Sequence, residues 1–420
     1  MRIISIWIGK IVIVILRLSG RRGSALPGLV IEKLNPNFMS ATLSKLQDGV
    51  IVVTGTNGKT TSTKMLTYVA RQNKRVLSNP TGSNFTRGIV SMLLQHSEWL
   101  GSLPYDIAVI ELDEAFAAKF AQQFRPRGTV VLNVMRDQMD RFGEIDHTAE
   151  LITKVVRKTT EFVVLNRDDS RVYSMKQDVK CKTLLFGVNN NLRDIFRSDD
   201  ELHSDSKQAH SSHKANVELE EINEEGEISL KIDNSIHKIK LAAQGTFNAQ
   251  NAAAVITAAL ALGYTADQIT NRLKEVKAAF GRGENLKYRN SNVILQLVKN
   301  PSGFRHALIS GSKQNQTATI IAINDNYADG RDVSWLWDVN FRESGGIKGE
   351  VFTTGSRAAD MALRLKYDDI ITNMIVPDFS ACLDQVMNNH NNQTIIIYTT
   401  YTAMLELRRL LTSKTDKERI

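Results

Sequence analysis

The feature that most limits how this chain can fold is the run Val50-Ile51-Val52-Val53-Thr54-Gly55-Thr56-Asn57-Gly58-Lys59-Thr60-Thr61. Uncharged β-branched residues without alternation read as a strand buried on both faces. Two glycines then turn the chain, and residues 60–72 carry a helical pattern. Glycine lets such a turn curl until its N–H groups converge, and the start of the next helix favours negative charge there. That arrangement suits phosphate oxygens. Lys59 is placed to reach the outer phosphates of a nucleotide, and Thr60 to offer its hydroxyl to Mg²⁺. The usual phosphate loop has four residues between its glycines, whereas here only Thr56 and Asn57 intervene.

Residues 107–111, 128–133 and 162–166 repeat the buried-strand pattern, with helical periodicity between them. Strands alternating with helices predict an α/β fold with a parallel sheet covered on both faces. Ligands then collect at the carboxyl ends of the strands, where Glu111, Asn133 and Asn166 stand. An isolated Glu at a strand end is usually only solvated. Beside this glycine loop, Glu111 is a candidate Mg²⁺ ligand.

Farther along, residues 194–215 are polar and lack an apolar period, which predicts a loop. Its His203, His210 and His213 are expected to be solvated linker residues. Residues 217–222, 228–232 and 237–241 predict a small antiparallel meander, and residues 245–262 an alanine-rich helix. A boundary falls at Phe280-Gly281-Arg282-Gly283-Glu284. Beyond it, strands are expected at 293–298, 319–323, 349–353, 369–372 and 394–398, forming a second, smaller α/β domain. The expected organisation is an N-terminal segment (1–49), a central nucleotide-binding domain (50–284, with a variable loop and meander at 194–241) and a C-terminal domain (285–420).

Composition narrows the function classes. A chain of 420 residues holding two cysteines, Cys181 and Cys382, has no disulfide framework and no four-cysteine zinc site; a reducing cytoplasm fits. The net charge of +8 draws anionic partners, but no basic run interleaved with aromatics argues for nucleic acid. The first 22 residues combine Ile3, Ile4, Ile6, Trp7, Ile8 and residues 11–16 with Arg2, Lys10, Arg17, Arg21 and Arg22. The longest uncharged apolar run, 11–16, is too short to span a bilayer, and Ser19-Gly20-Arg21 is a poor cleavage site for a signal peptide. Two readings stand: a helix packed on the protein or a partner, and an interfacial helix on the inner face of an anionic membrane.

The short loop sequence Gly-Thr-Asn-Gly-Lys-Thr resembles that of Mur ligases and folylpolyglutamate synthases. Asn133-Val134-Met135-Arg136-Asp137-Gln138-Met139-Asp140-Arg141 resembles the Mur segment that normally carries a metal-binding His; Gln138 replaces it, as in MurT-type members. Phe247-Asn248-Ala249-Gln250-Asn251 is similar to the segment whose asparagines contact adenine. Phe280-Gly281-Arg282 is similar to the one whose arginine reaches ATP. Lys299-Asn300-Pro301-Ser302-Gly303 and the stretch Asn324-Asp325-Asn326-Tyr327-Ala328-Asp329-Gly330-Arg331-Asp332, running on to Asp338, resemble MurT-type versions of the C-terminal domain. Some MurT-type proteins insert a zinc ribbon where this chain has its Cys-free 194–215 stretch, so no zinc is expected.

The resemblance implies ATP and Mg²⁺ as requirements, with Gly55 to Thr61, Asn248, Asn251 and Arg282 on the nucleotide and Thr60 and Glu111 on the metal. It implies amidation of the D-glutamate α-carboxylate in the lipid II stem peptide through an acyl phosphate. Ammonia would come from a GatD-type glutaminase, to whose Cys–His pair Asp332 would be lent, with Asp325, Asp329 and Asp338 as rivals for that role. Asn133, Asp137, Gln138, Asn300, Asn324, Asp325, Asn326 and Asp329 are further candidates for substrate contact. The alternative is a Mur-type ligase that adds an amino acid, MurE-like or folylpolyglutamate synthase-like.

Overall fold

The computed structural model describes residues 2–19, 25–79, 85–137, 145–203, 213–223, 225–242, 245–276, 282–342 and 344–413. The chain forms two compact units. One comprises Met1–Val134, Glu144–Ala242 and Asn248–Val276; the other comprises Met135–Gly143, Ala243–Phe247 and Lys277–Ile420.

The first unit is built on a sheet of β1 (Val50–Thr54), β2 (Val76–Ser78), β3 (Ile107–Glu111), β4 (Gly128–Val131), β5 (Phe162–Asn166), β6 (Lys182–Val188), β7 (Val217–Ile222), β8 (Glu227–Ile232) and β9 (Ser235–Lys240). Their spatial order is β2-β3-β1-β4-β5-β6-β7-β8-β9. β1 sits between β3 and β4, with Val52 opposite Ile110 on one side and Thr129 on the other. Every residue of β1, β3, β4 and β5 is buried, which is why these strands show no polar alternation. The meander is not a separate piece. β7 pairs in parallel with β6, a strand the sequence reading did not assign, and only β7, β8 and β9 are mutually antiparallel. One edge of the sheet is the three-residue β2; the other is β9, with Lys238 and Lys240 exposed.

Helices Arg2–Leu18, Leu26–Leu34 and Phe38–Leu43 pack into the same unit. Ile6, Ile31, Phe38 and Leu43 are fully or almost fully buried in a core shared with Val50, Val52, Leu93 and Ile110. Each such side chain contributes about 2 kcal/mol by leaving water. Within the stretch expected to be a loop, residues 199–203 form a short helix instead. Ser198 N–H donates to Glu201 Oε2 (2.8 Å) at its start, and Arg193 pairs with Glu201. His213 is exposed, its ring 5.2 Å from that of Tyr173. His210 and the side chain of His203 lie outside the described residues.

The second unit holds β10 (Arg282–Tyr288), β11 (Ser291–Leu297), β12 (Ala318–Ala322), β13 (Glu350–Thr354), β14 (Met374–Ile375) and β15 (Thr394–Thr399), in the order β10-β11-β15-β12-β13-β14. Only β10 is antiparallel, turning into β11 at Arg289 and Asn290, both with positive φ (45° and 65°) as a tight hairpin requires. β10 thus begins where the sequence suggested only a boundary. The strand expected at 369–372 is absent. Asp369 adopts φ +57°, Ile370 N–H donates back to Leu365, and pairing starts at Met374, opposite Phe352.

Candidate functional site

The loop after β1 is shaped by two asparagines. Asn133, just past β4, donates from Nδ2 to the Asn57 carbonyl (3.1 Å) and accepts the Asn57 N–H at Oδ1 (2.8 Å). Its backbone carbonyl accepts the Thr56 N–H at 3.0 Å. Gly55, at φ +121°, lies so close that a Cβ would stand 2.8 Å from the Asn133 carbonyl oxygen. Gly58, at φ +88°, lies beneath Asn251, whose Oδ1 would be 2.2 Å from a Cβ there. Both positions exclude any side chain. The spacing of two residues between the glycines is therefore a loop drawn tight around Asn133.

Helix Lys59–Ala70 starts directly after this loop. Lys59 is buried, and its Nζ donates to the Gly55 carbonyl (2.6 Å) and lies 3.4 Å from Glu114 Oε1. The Thr60 hydroxyl donates to Glu111 Oε1 at 3.0 Å. The two side chains picked out as cation ligands thus meet. Glu111 is buried, and its backbone is clamped by Asn79, which accepts its N–H and donates to its carbonyl, both at 2.9 Å. Among the described residues no three His, Cys, Asp or Glu side chains converge on a metal position. A hydroxyl with a single carboxylate suits Mg²⁺, which keeps waters and phosphate oxygens as its other ligands. Against Gly58, Asn251 keeps a buried Nδ2 with no partner among the described residues, and Thr61 a buried hydroxyl in the same condition. Asn248, which opens the neighbouring turn, is 1% exposed.

Other strand-end residues are spent on structure. Asn166 donates to the Leu132 carbonyl and accepts the Asp168 N–H, tying β5 to β4. Asp169, not singled out in the sequence, accepts the N–H groups of Val134 (2.8 Å) and Val172 (3.0 Å); burial pushes its carboxyl up to about 6. Asp137 pairs with Lys299 through Oδ2, while its buried Oδ1 has no partner among the described residues. Gln138 and the Arg282 side chain lie outside the described residues.

In the second unit the Asx-rich stretch after β12 sorts into two groups. Asn324 accepts the Ser356 N–H and donates to Thr402. Asp325 accepts from Ser356 Oγ (2.9 Å) and pairs with Arg357 (2.8 Å), which hold its carboxyl below the usual range. Asn326 donates to Thr402 at 2.9 Å. Asp329 is buried and accepts the Thr402 N–H at 2.7 Å at the start of helix Tyr401–Ser413. Asn300 likewise caps helix Pro301–Ser312 by accepting the Gly303 N–H at 2.8 Å. Asp332 stands apart: it is exposed and, among the described residues, accepts the Ser334 N–H (2.8 Å) through Oδ1. Asp338 is also exposed, at the end of a short 3₁₀ turn.

Comparison with known proteins fits this division. A profile of the Mur ligase middle domain matches residues 53–259, and one of the MurT ligase C-terminal region matches 297–404. Subunit MurT of lipid II isoglutaminyl synthase (glutamine-hydrolyzing) from Staphylococcus aureus strain COL is 28% identical over 93% of this chain and 94% of its own. The chain joins a Mur ligase middle domain to a MurT-type C-terminal region. The MurT subunit of Streptococcus pneumoniae R6 is 29% identical, covering 94% of this chain and 93% of its own. Among solved structures, MurF of Thermotoga maritima in complex with ADP superposes with a TM-score of 0.71 at 16% identity, over 92% of this chain and 85% of that one. MurF of Acinetobacter baumannii gives 0.69 at 18%, over 90% and 80%. At such identities these two establish the Mur ligase fold alone.

Proposed function

We propose that this chain is the synthetase subunit of an enzyme that amidates the D-glutamate α-carboxylate of the lipid II stem peptide, using ATP and ammonia delivered by a GatD-type glutaminase. In this reading residues 50–284 bind the nucleotide and residues 285–420 complete the ligase and meet the partner. The observation that carries it is the contact of Thr60 with Glu111 at the start of the helix opened by buried Lys59, behind a loop whose Gly55 and Gly58 are crowded by Asn133 and Asn251, in a chain that matches a MurT relative over 93% of its length.

ATP is a substrate here. Its phosphates fit the loop N–H groups not engaged by Asn133, with Lys59 against their outer oxygens. The buried Nδ2 of Asn251 and hydroxyl of Thr61 are donors awaiting a polar group. Thr60 and Glu111 would hold Mg²⁺, which supplies neutralisation of phosphate charge. Transfer of the γ-phosphoryl group to the carboxylate gives an acyl phosphate and ADP. Ammonia attacks its carbonyl carbon, phosphate leaves, and a proton is released. Positioning and charge carry such a transfer, so no strong general base is required of this chain. With Asp325 and Asp329 committed to Arg357 and Thr402, Asp332 and Asp338 are the exposed carboxylates of the stretch, and Asp332, the one matching the MurT pattern, would orient the partner's imidazole.

The test is ATP hydrolysis with lipid II and ammonium chloride, followed by mass spectrometry of the lipid. ADP release with a loss of about one mass unit, abolished by Lys59→Ala, is expected; the carboxylic acid has become an amide. ATP turnover that requires an added amino acid would replace this reading with the amino-acid ligase.

A further inference from the structure

Helix Arg2–Leu18 does two things at once. Ser5, Ile6 and Gly9 face the protein, and the glycine lets the helix sit down on Leu94, whose Cδ2 would lie 2.5 Å from a Cβ. Arg2 fastens the same side by donating to the Gly101 carbonyl at 2.6 Å. The opposite arc is apolar and uncovered: Ile4 is 57% exposed, Trp7 50%, Ile11 53%, Ile15 59% and Leu18 83%. At 100° per residue these five fall on one stripe. The stripe continues into the loop beyond residue 97. Trp7 donates from Nε1 to the Trp99 carbonyl (2.9 Å), Lys10 lies over the Trp99 ring (5.2 Å), and Leu100 is 81% exposed.

A soluble surface rarely leaves so long an apolar ridge open. Its charge pattern identifies the occupant. Lys10 and Arg17 line one flank, and between Arg2 and Ile31 the sequence holds no acid. An apolar ridge with a cationic flank and tryptophans at the rim complements an anionic lipid surface, with rings at the headgroup level and basic groups against lipid phosphates. The helix has 17 residues and so is about 25 Å long, short of the roughly 30 Å hydrocarbon core. No helix among the described residues is long and apolar enough to cross a membrane. We infer that this helix is a monotopic anchor that lies in the surface of an anionic bilayer through Ile4, Trp7, Ile11, Ile15 and Leu18, with Lys10 and Arg17 on lipid phosphates. The inference stands apart from the amidation reading, since it needs neither nucleotide nor acceptor.

The experiment is co-sedimentation of the full chain with vesicles of phosphatidylglycerol or of phosphatidylcholine. Binding to the first, at least tenfold weaker to the second and weakened by added salt, is expected. Ile11→Glu with Ile15→Glu should lower the partition at least about 30-fold, and Lys10→Gln with Arg17→Gln about tenfold, with little change in melting temperature, because Ile11, Ile15 and Arg17 are exposed and Lys10 lies over the surface ring of Trp99. No sedimentation with either vesicle, or wild-type binding by the double glutamate variant, overturns the proposal. So does a variant that dissociates a self-associating chain while vesicle binding is unaltered, since the ridge would then be covered by a second copy.

Discussion

Two loops, each following a central parallel strand, use the same small polar residues to opposite ends. After β1, the asparagines outside the loop do the shaping: Asn133 and Asn251 press on Gly55 and Gly58, and the loop's own Lys59 and Thr60 remain at its mouth. After β12, the Asx residues inside the loop do the shaping, consuming Asn324, Asp325, Asn326 and Asp329 on Ser356, Arg357 and Thr402. The first loop is held from without, and its Lys59 and Thr60 turn to the carboxylates of Glu114 and Glu111. The second is held from within and leaves Asp332 and Asp338 exposed. A polar cluster in sequence therefore does not measure the size of a site; what matters is how many of its lone pairs the backbone has already taken.

The sharpest way to break this contrast is Asp332→Asn. With the glutaminase partner, glutamine-dependent amidation should fall by about 10⁴, the scale of losing the orienting carboxylate of a triad, while the rate with ammonium chloride stays within about twofold. Equal loss from both nitrogen sources would place Asp332 in the synthetase reaction instead. Lys59→Ala comes next: ATP-dependent product formation should drop about 10³-fold with the circular dichroism spectrum intact. Asp329→Ala is predicted to cost about 2–3 kcal/mol in denaturant unfolding, since it orphans a helix N-terminus and a buried loop; a neutral result would mean that the loop does not depend on its internal bonds.

The smallest effect concerns pH. Burial pushes the His306 imidazole down to about 3, with Arg305 adding to it. The unfolded chain takes up the proton near 6.5 and the folded one does not, so stability contributed here is full above pH 6.5 and falls as pH drops toward 3. Between pH 7 and 5 the loss is about 2 kcal/mol. His306→Gln should flatten that segment of the stability profile, measured against wild type, whatever it does at pH 7.

The β1 loop was legible because its signals are local: a buried strand, two glycines, a lysine and a threonine in twelve residues. Glu111 was legible because a strand end beside such a loop has few other uses. Asn79 and Glu114 were not. Asn79 becomes relevant only because β2 lies against β3, placing it 32 residues away on the Glu111 backbone, and Glu114 looks like any acid in a first helical turn until Lys59 reaches it. In the second unit, types of element were readable but the misplaced strand was not, since the αL residue Asp369 that delays β14 is an aspartate rather than a glycine. The roles of Asn300 and Asp329 as caps depend on which N–H groups the fold brings near, and sequence spacing alone shows this only for Asn300.

The larger sheet carries one more consequence. Its two rims are the edge strands β2 and β9, and edges are where strands of separate molecules fuse. β2 offers too short a template, and β9 presents Lys238 and Lys240, so another copy approaching rim to rim meets like charge before it meets hydrogen bonds. Two exposed ammonium groups guard that rim. Neutralising both, as Lys238→Val with Lys240→Val, should leave the monomer's fold alone and turn high-concentration stocks toward fibrillar precipitate.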